Sequence, residues 1–357
     1  MQQERFDFMD MTREKIGQVL SGYDKKNLKI ATICSHTALQ IFHGARAEGI
    51  KTIGICTPNR RKVYEAFPLG CPDEFIEVDD LRNIPSDELL EKNAILVPHG
   101  SLVEYSGDSL SSMEVPMVGN RESLSWERDR EKMFKWMKAS GLQVPATIEP
   151  DKIDRPCVVK LSGAKGGRGY RVVNSPDEFY EHFEGMNVTV QEYLIGVRVY
   201  PHYFYSPLSR EGYHASEGHI ELLGIDRRFE SNIDESYRME KVGLSFTPSF
   251  TVVGNELLVV RESLLENIME MGRSVTETAD RLFGGIPGPF CLETVCDENL
   301  NFFAFEISAR IVAGTNIYPQ GSPYSAYQFA EPMSMGRRIA REVKLAAKAG
   351  KLQKIIF

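Results

Sequence analysis

Two glutamates near the C-terminal end of the chain could bind a divalent metal ion. Glu293 and Glu306 lie in the apolar stretches 290–296 and 300–308, whose alternating side chains predict a β-hairpin. With a four-residue loop, Glu293 would pair with Ala304, and Glu306 would lie one diagonal step away on the same face. Carboxylates at that spacing can converge on Mg²⁺ ions that bridge nucleotide phosphates. Two solvated edge carboxylates are the alternative.

The strand that carries Glu306 also suggests an apolar face and a functional cation. Alternation would place Phe303, Phe305 and Ile307 in the core, with Glu306 on the opposite face. A carboxylate among aromatic residues is costly unless it has a partner. Arg310 follows four residues later and could neutralise charge on a transferred phosphoryl group. A structural ion pair is the other interpretation of Arg310.

The segment 162–169, SGAKGGRG, is rich in glycine and in positive charge. It contains Gly163, Gly166, Gly167 and Gly169, with Lys165 and Arg168 between them and Lys160 just before it. Glycines let backbone amides approach phosphate oxygens closely. The segment has neither the GK[ST] of a P-loop nor the spacing of a dinucleotide fingerprint. We therefore expect a strand–loop–strand flap over phosphates, with a plain flexible hairpin tip as the alternative.

Two polar clusters follow strands predicted in the N-terminal third. His36 follows the strand predicted at 28–34, and Ser101 follows the strand predicted at 94–97. The order strand, helix, strand is typical of a parallel sheet, which binds anions at the carboxyl ends of its strands. We expect one small phosphorylated ligand there. An ordinary helix-capping turn is the alternative for His36.

The surrounding elements predict an α/β N-terminal unit followed by α+β units. Further strands are predicted at 51–56 and 74–78, and helices at 123–140, 262–283 and 332–349. Gly141 suits a left-handed helix end, and Ser175 or Asn174 suits a helix cap before Pro176. The domains expected are 1–124 for substrate binding, 125–205 as a lid with the flap, and 206–357 with the metal site.

Composition narrows the class of protein. The chain has 357 residues, a net charge of −8 and six cysteines without a CxxC pair. No basic footprint indicates nucleic acid, no stretch is long enough for a membrane span, and no signal peptide is visible. We therefore expect buried thiols in a cytoplasmic protein. Aromatic residues at Tyr318, Tyr324 and Tyr327 suggest a homo-oligomer interface, although these tyrosines suit the core equally well.

These features together resemble the ATP-grasp ligases. In that superfamily, a lysine placed like Lys160 touches the nucleotide phosphates and a glycine-rich flap covers them. A hinge segment, here QEYL with Glu192 and Tyr193, receives the adenine, and late acidic residues hold Mg²⁺. The resemblance implies an ATP-grasp fold with a Rossmann-like N-terminal sheet. It departs at Ser308, where many members carry an asparagine, and this puts a second metal ion in doubt.

A closer resemblance covers nearly the whole chain, from about residue 28. It is to the archaeal formate-dependent 5-formaminoimidazole-4-carboxamide ribonucleotide (FAICAR) synthetase family. The segments that carry it are CSHTALQIFHGARAEG, VPHGSLVEYSG, VGNRESLSWERDR, KLSGAKGGRGY, LLGIDRRFESNID, VVRESLLENIMEMG, GPFCLETVCDENL and FEISARIVAGTN. It implies ligation of formate to 5-aminoimidazole-4-carboxamide ribonucleotide (AICAR) through formyl phosphate, with ATP and Mg²⁺ or Mn²⁺, in purine biosynthesis.

The same resemblance implies roles for individual residues. His36, Ser101 and Asn232 match positions that contact the ribonucleotide, Glu192 matches an ATP contact, and Glu293 and Glu306 match the metal positions. Lys160 and Arg310 would act on the transferring phosphoryl group. The alternatives are a paralogue that ligates another carboxylate, a non-catalytic nucleotide sensor, and an oxidoreductase, against which the missing dinucleotide fingerprint argues.

Overall fold

The structure, a computed structural model, describes residues 11–161, 170–230, 238–244 and 251–357. Its strands are β1 (Lys29–Ile33), β2 (Lys51–Cys56), β3 (Glu74–Glu77), β4 (Ala94–Leu96), β5 (Cys157–Leu161), β6 (Arg171–Val173), β7 (Val188–Glu192), β8 (Val197–Ser206), β9 (Tyr213–Ala215), β10 (Gly218–Glu230), β11 (Val252–Leu257), β12 (Gly288–Cys296) and β13 (Phe302–Ser308). Its helices include α1 (Arg13–Gly22), α2 (Ala38–Ala47), α3 (Pro58–Glu65), α4 (Ser86–Glu91), α5 (Gly100–Ser106), α6 (Ser109–Ser112), α7 (Arg121–Arg128), α8 (Arg130–Ala139), α9 (Pro176–Phe183), α10 (Leu265–Phe283), α11 (Pro323–Ala326) and α12 (Met335–Ala349).

The N-terminal sheet is parallel, as predicted. Its strand order is β3-β2-β1-β4, and β1 pairs in parallel with both β2 and β4. Ile30, Ala31 and Ile33 of β1 are all buried. Burial on both faces explains why this strand reads as a continuous apolar run.

Two antiparallel sheets form the rest of the chain. The larger has the order β11-β10-β8-β12-β13, with β9 paired to β10, and the smaller has the order β6-β5-β7. The smaller sheet packs with α9 around its own core, which includes Val159, Val190, Phe179 and Phe183. The predicted domains remain a proposal. The predicted boundary at 205 falls within β8, and this strand belongs to the larger sheet rather than to the smaller sheet of the predicted lid.

The C-terminal helix fastens the larger sheet to the N-terminal unit. Helix α12 crosses α2 so closely that a side chain at Gly44 would meet the Arg337 backbone, and one at Gly336 would meet the Gln40 backbone. Glycine is required where two backbones approach this closely. Ile41, Ile339 and Val343 then share one buried cluster with Phe204 of the larger sheet.

The single helix predicted at 123–140 is wrong, because the chain forms α7 and α8 with a break at Asp129. This residue has extended dihedral angles (φ −92°, ψ 110°), and its carboxylate accepts from the Lys132 amide at 3.0 Å. An aspartate competes with the helix backbone and favours such a cap. The predicted ends at Gly141 (φ +72°) and Ser175 are confirmed.

Most of the cysteines, and two of the three tyrosines, lie in the core. All six cysteines are free, and those other than Cys71 are buried. Tyr318 and Tyr324 are buried within the protomer, whereas Tyr327 is exposed. No helix of the described residues is long and apolar enough to cross a membrane. The homo-oligomer stays a prediction.

Candidate active site

The two predicted metal glutamates lie directly opposite each other on adjacent strands. Glu293 of β12 pairs with Glu306 of β13. The four-residue loop was wrong, because Cys296 pairs with Phe302, the loop comprises 297–301, and Ala304 pairs with Thr294. A register shift between Glu293 and Thr294 then brings the two glutamates together. Directly opposed residues have Cβ atoms about 4.5–5.5 Å apart, closer than the diagonal arrangement predicted.

The same bulge changes which side chains enter the core. Phe302, Ala304 and Ile307 belong to the main buried cluster, whereas Phe303 and Phe305 are only half-buried. The prediction was therefore wrong for Phe303 and Phe305 and right for Ile307. An extra residue in one strand reverses the alternation beyond it, and this turns Glu306 away from the face of Ala304.

The electrostatics of the pair suit a divalent cation. Burial, and next the charge of Glu293, raise the pKa of Glu306 to about 7. Two crowded carboxylates are relieved by a cation, and hard oxygen ligands are those that Mg²⁺ and Mn²⁺ prefer. Within the described ranges, no group of three or more His, Cys, Asp or Glu side chains could hold a metal ion. The other ligands would therefore come from water and phosphate oxygens.

Lys160 of the smaller sheet faces this pair. Its side chain is 8% exposed, and its Nζ lies 5.4 Å from the centre of the Phe305 ring and 5.5 Å from that of Tyr170. Burial, and next the charge of Arg130, lower the pKa of Lys160 to about 8, while Glu306 opposes the shift. The candidate site therefore lies between the two antiparallel sheets.

Arg310 makes the ion pair that the sequence left open. Its Nη2 lies 2.9 Å from Oε1 of Glu127, and the Ala309 amide donates to the other carboxylate oxygen at 2.8 Å. Burial raises the pKa of Glu127, and Arg310 opposes that shift. Helix α7 thus fixes the arginine at the end of β13. A role of Arg310 in phosphoryl transfer remains a proposal.

Replacing Glu127 by alanine is expected to lower the free energy of unfolding by about 3–5 kcal/mol, because it leaves Arg310 buried without its partner. The Arg310 side chain is only 15% exposed. Urea unfolding monitored by circular dichroism measures the change. Glu122→Ala is the control on the exposed side of the same helix, with an expected loss of about 1 kcal/mol or less. Equal losses in both variants would contradict the assignment.

Two of the predicted ribonucleotide residues, His36 and Ser101, lie at one edge of the parallel sheet. The hydroxyl oxygens of Ser35 and Ser101 are 2.9 Å apart, and the rings of His36 and His99 stack with centroids 5.3 Å apart. His36 has a left-handed backbone (φ +56°), which is unusual for a non-glycine residue. Its carbonyl accepts from Asn316 Nδ2 at 3.0 Å. The N-cap of α2 is Thr37 rather than His36, and a ligand-binding role of His36 remains a proposal.

Gly100 lies where this edge approaches the end of β13, the strand that carries Glu306. A Cβ atom at Gly100 would lie 2.7 Å from Nε2 of His36 and 3.5 Å from Nη1 of Arg310. A bridge between His99 and Ile311 joins the same two segments. His36, Ser101 and Arg310 are thus brought to one place from opposite ends of the chain.

His99 is a buried, neutral imidazole. Its Nε2 lies 2.9 Å from the Ile33 carbonyl oxygen, and its Nδ1 accepts from the Leu102 amide at 3.3 Å. Two such partners select the tautomer with the proton on Nε2. Burial lowers the pKa of His99 to about 4.

The wild-type protein is expected to lose about 2 kcal/mol of stability between pH 7 and pH 5 through His99. The folded pKa lies below the unfolded value of 6.5, so the unfolded chain binds the proton more readily. The contribution is complete above pH 6.5 and is lost as pH falls through 4. Urea unfolding at both pH values should show a smaller acid loss in His99→Asn, whose side chain can still cap α5. The exposed His214→Asn should behave as wild type; an unchanged acid loss in His99→Asn would contradict the assignment.

The predicted adenine segment lies on the smaller sheet. The carboxylate of Glu192 accepts from the Ala146 amide at 2.9 Å, and the Tyr193 amide donates to the Pro156 carbonyl. Gln191 is paired across the sheet with Val158, so its side chain lies on the face that carries Lys160. The Gln191 amide is buried, and neither its nitrogen nor its oxygen has a partner among the described residues. A ligand with both a donor and an acceptor would satisfy it.

Several predicted site residues lie outside the described residues. They are Gly163, Lys165, Gly166, Gly167, Arg168 and Gly169 of the flap, and Asn232. Their roles remain proposals.

Sequence reasoning missed Arg228, which lies at the centre of the site. Its guanidinium donates two parallel hydrogen bonds to Glu293, at 2.7 and 2.5 Å, and lies 4.3 Å from the centre of the Tyr200 ring. The alternation of side chains along β10 predicts that Arg228 lies on the same face as Asp226. It does not reveal that β12, which carries Glu293, lies on the other side of β8.

Comparison with known proteins identifies the family of the chain. One family model, a domain of unknown function (DUF1297), matches residues 181–357, and another, a protein of unknown function (DUF1246), matches 30–148. A 5-formaminoimidazole-4-carboxamide-1-(beta)-D-ribofuranosyl 5'-monophosphate synthetase from Methanococcoides burtonii is 49% identical over 97% of this chain and 99% of the relative.

Solved structures show the same architecture. An IMP biosynthesis protein PurP from Thermococcus kodakaraensis has a TM-score of 0.74 and 30% identity, covering 92% of this chain and 100% of that one. An N5-carboxyaminoimidazole synthetase from Staphylococcus aureus, solved with ADP, has a TM-score of 0.61 at 14% identity, covering 89% and 76%. The fold is therefore that of the ATP-grasp ligases. The chain belongs to the family of 5-formaminoimidazole-4-carboxamide ribonucleotide synthetases.

Proposed function

We propose that this enzyme uses ATP and formate to formylate AICAR, giving FAICAR, ADP and phosphate in purine biosynthesis. The observation that carries the proposal is that Glu293 and Glu306 lie opposite each other beside Lys160, while Arg310, just after the strand of Glu306, reaches the edge that holds His36 and Ser101. A nucleotide phosphate at the glutamates would lie between the face that holds the orphan Gln191 amide and the edge suited to a ribonucleotide. The synthetases that this chain resembles are named for the same product.

In the proposed reaction, the γ-phosphoryl group passes to a formate oxygen, giving formyl phosphate and ADP. Mg²⁺ or Mn²⁺ held by Glu293 and Glu306 would neutralise charge on the phosphates. Lys160, the backbone amides of the flap and Arg310 would stabilise the transferring group, and Glu192 and Tyr193 would hold the adenine. The flap would have to exclude water, because formyl phosphate hydrolyses.

The second step joins the formyl group to the ribonucleotide. The 5-amino group attacks the formyl carbon, its proton is lost, and phosphate leaves. His36, Ser101 and Asn232 would hold the ribonucleotide. His36 contacts it as a neutral imidazole, because burial and the neighbouring His99 hold the pKa of His36 well below its ordinary value. It can therefore donate and accept hydrogen bonds without carrying charge.

The test is ADP release by the purified protein with Mg²⁺-ATP and AICAR, with and without formate. Release that requires both substrates, with a product heavier by one formyl group, would support the proposal. ADP release with another carboxylate would indicate a related ligase. Binding of ATP and ribonucleotide without turnover would indicate a sensor. A cytoplasmic location and a homo-oligomer remain predictions alongside this function.

A further inference from the structure

We propose that Arg228 binds the carboxylate of formate and is freed for this role when Glu293 turns to the metal ion. This inference rests on the proposed function and assigns the substrate that the resemblance leaves without a residue. It starts from the contacts of Arg228, a partly buried cation whose main partner is one of the two predicted metal ligands.

A metal ion bound by Glu293 would compete with Arg228 for the charge of the same carboxylate. Both carboxylate oxygens of Glu293 accept from Arg228, at 2.7 and 2.5 Å, so a metal ion there would weaken the hold of this carboxylate on the guanidinium. The Arg228 side chain is 20% exposed and that of Glu293 is 6% exposed. A buried guanidinium that loses its carboxylate is unfavourable unless another anion replaces it.

Formate is an anion that fits the place left by Glu293. It has the same carboxylate group and no other part by which a protein could recognise it. A planar guanidinium binds a carboxylate through two parallel hydrogen bonds, whereas an ammonium offers a point charge. Tyr200 is 1% exposed, and its ring lies against the guanidinium of Arg228, so the ring helps to hold that guanidinium in position. Formate held there would lie beside the metal strand, where the phosphoryl group is transferred.

Arg310 is another guanidinium close to the proposed reaction, and its contacts differ from those of Arg228. Its partner Glu127 also accepts from the Ala309 amide, and the metal pair does not include Glu127. Arg310 therefore keeps its carboxylate when the metal ion binds. It also lies towards His36, at the ribonucleotide edge.

The test compares Arg228→Lys and Arg228→Gln with Arg227→Gln. Arg227 is the neighbouring residue, exposed and paired with Glu256 on the opposite face, and is a matched control. We expect Arg228→Gln to raise KM for formate by about 100-fold and to change KM for ATP by less than about 3-fold. Arg228→Lys should fall between Arg228→Gln and wild type, and Arg227→Gln should match wild type.

A second readout does not depend on turnover. Mn²⁺ and a non-hydrolysable ATP analogue are bound first, and the nuclear relaxation rate of ¹³C-formate is then measured. Formate held by Arg228 lies near the paramagnetic ion, so its relaxation rate should rise with wild type and with Arg227→Gln but not with Arg228→Gln. Thermal unfolding shows whether each variant folds. If Arg228→Gln does not fold, Arg228→Lys, which keeps the charge, takes its place in both measurements.

The outcomes separate this assignment from the proposed function. Unchanged KM for formate, or equal rises for formate and ATP, would overturn the role of Arg228. Loss of formate relaxation in Arg310→Gln but not in Arg228→Gln would move formate to Arg310 and overturn it too. A wild type without formate-dependent ADP release contradicts the proposed function alone. In that case, formate relaxation that Arg228→Gln abolishes still supports the binding role, and its absence from wild type overturns it.

Discussion

Replacement of Glu306 by glutamine is expected to lower kcat for ADP formation on the order of 10³-fold. The amide keeps the size of the side chain but removes the charge that would hold the metal ion against Glu293. It also removes the carboxylate that opposes the lowered pKa of Lys160. Charge that develops on the transferring phosphoryl group would then lose two stabilising interactions.

Steady-state ADP release and Mn²⁺ affinity, measured by electron paramagnetic resonance, test this expectation together. Both should fall in Glu306→Gln. Glu298→Gln, on the exposed tip of the same hairpin, is the matched control and should leave both unchanged. A variant with weak Mn²⁺ binding and normal kcat would show that the pair does not hold the metal ion of the reaction.

Replacement of Lys160 by methionine is expected to lower kcat/KM for ATP on the order of 10³-fold while making the folded protein more stable. Methionine fills the space between Phe305 and Tyr170 but cannot contact a phosphate. The pKa of Lys160 in the folded state, about 8, lies below the unfolded value of 10.5. At pH 7 the folded protein therefore holds a charged lysine in a place that favours the neutral amine.

The sign of the stability change follows from this depressed pKa. Above pH 10.5 Lys160 is neutral in both states, and its ionisation does not change the free energy of unfolding. As the pH falls from 10.5 to 8, the unfolded chain binds the proton more readily than the folded protein. At pH 7 the charge of Lys160 therefore disfavours folding by up to about 3 kcal/mol. Urea unfolding of Lys160→Met should show part of this gain. Lys152→Met is the exposed control and should change neither activity nor stability. Lower stability together with lost activity would instead indicate that Lys160 supports the fold.

The local elements and the chemical types at the site could be predicted from the sequence. Burial on both faces made β1 a continuous apolar run, and Ser175 and Gly141 marked helix ends because the side chain of the one and the dihedral angles of the other suit those positions. The need of a buried glutamate for a partner identified Glu306. The period of a strand did not predict the bulge beside Glu293, because an extra residue breaks the alternation on which the prediction rests.

Contacts between distant parts of the chain were decided by the tertiary structure. Arg228 and Glu293 are 65 positions apart, and Glu127 and Ala309 are 182 apart. Neither periodicity nor residue type states which strand or helix will lie beside another. The sequence by itself determined which side chains can bind phosphate, metal and base. Only the packing of three sheets decided that Lys160 lies beside Glu293 and Glu306 and that His36 lies near Arg310, because that depends on the order and register of strands brought together by buried apolar surface.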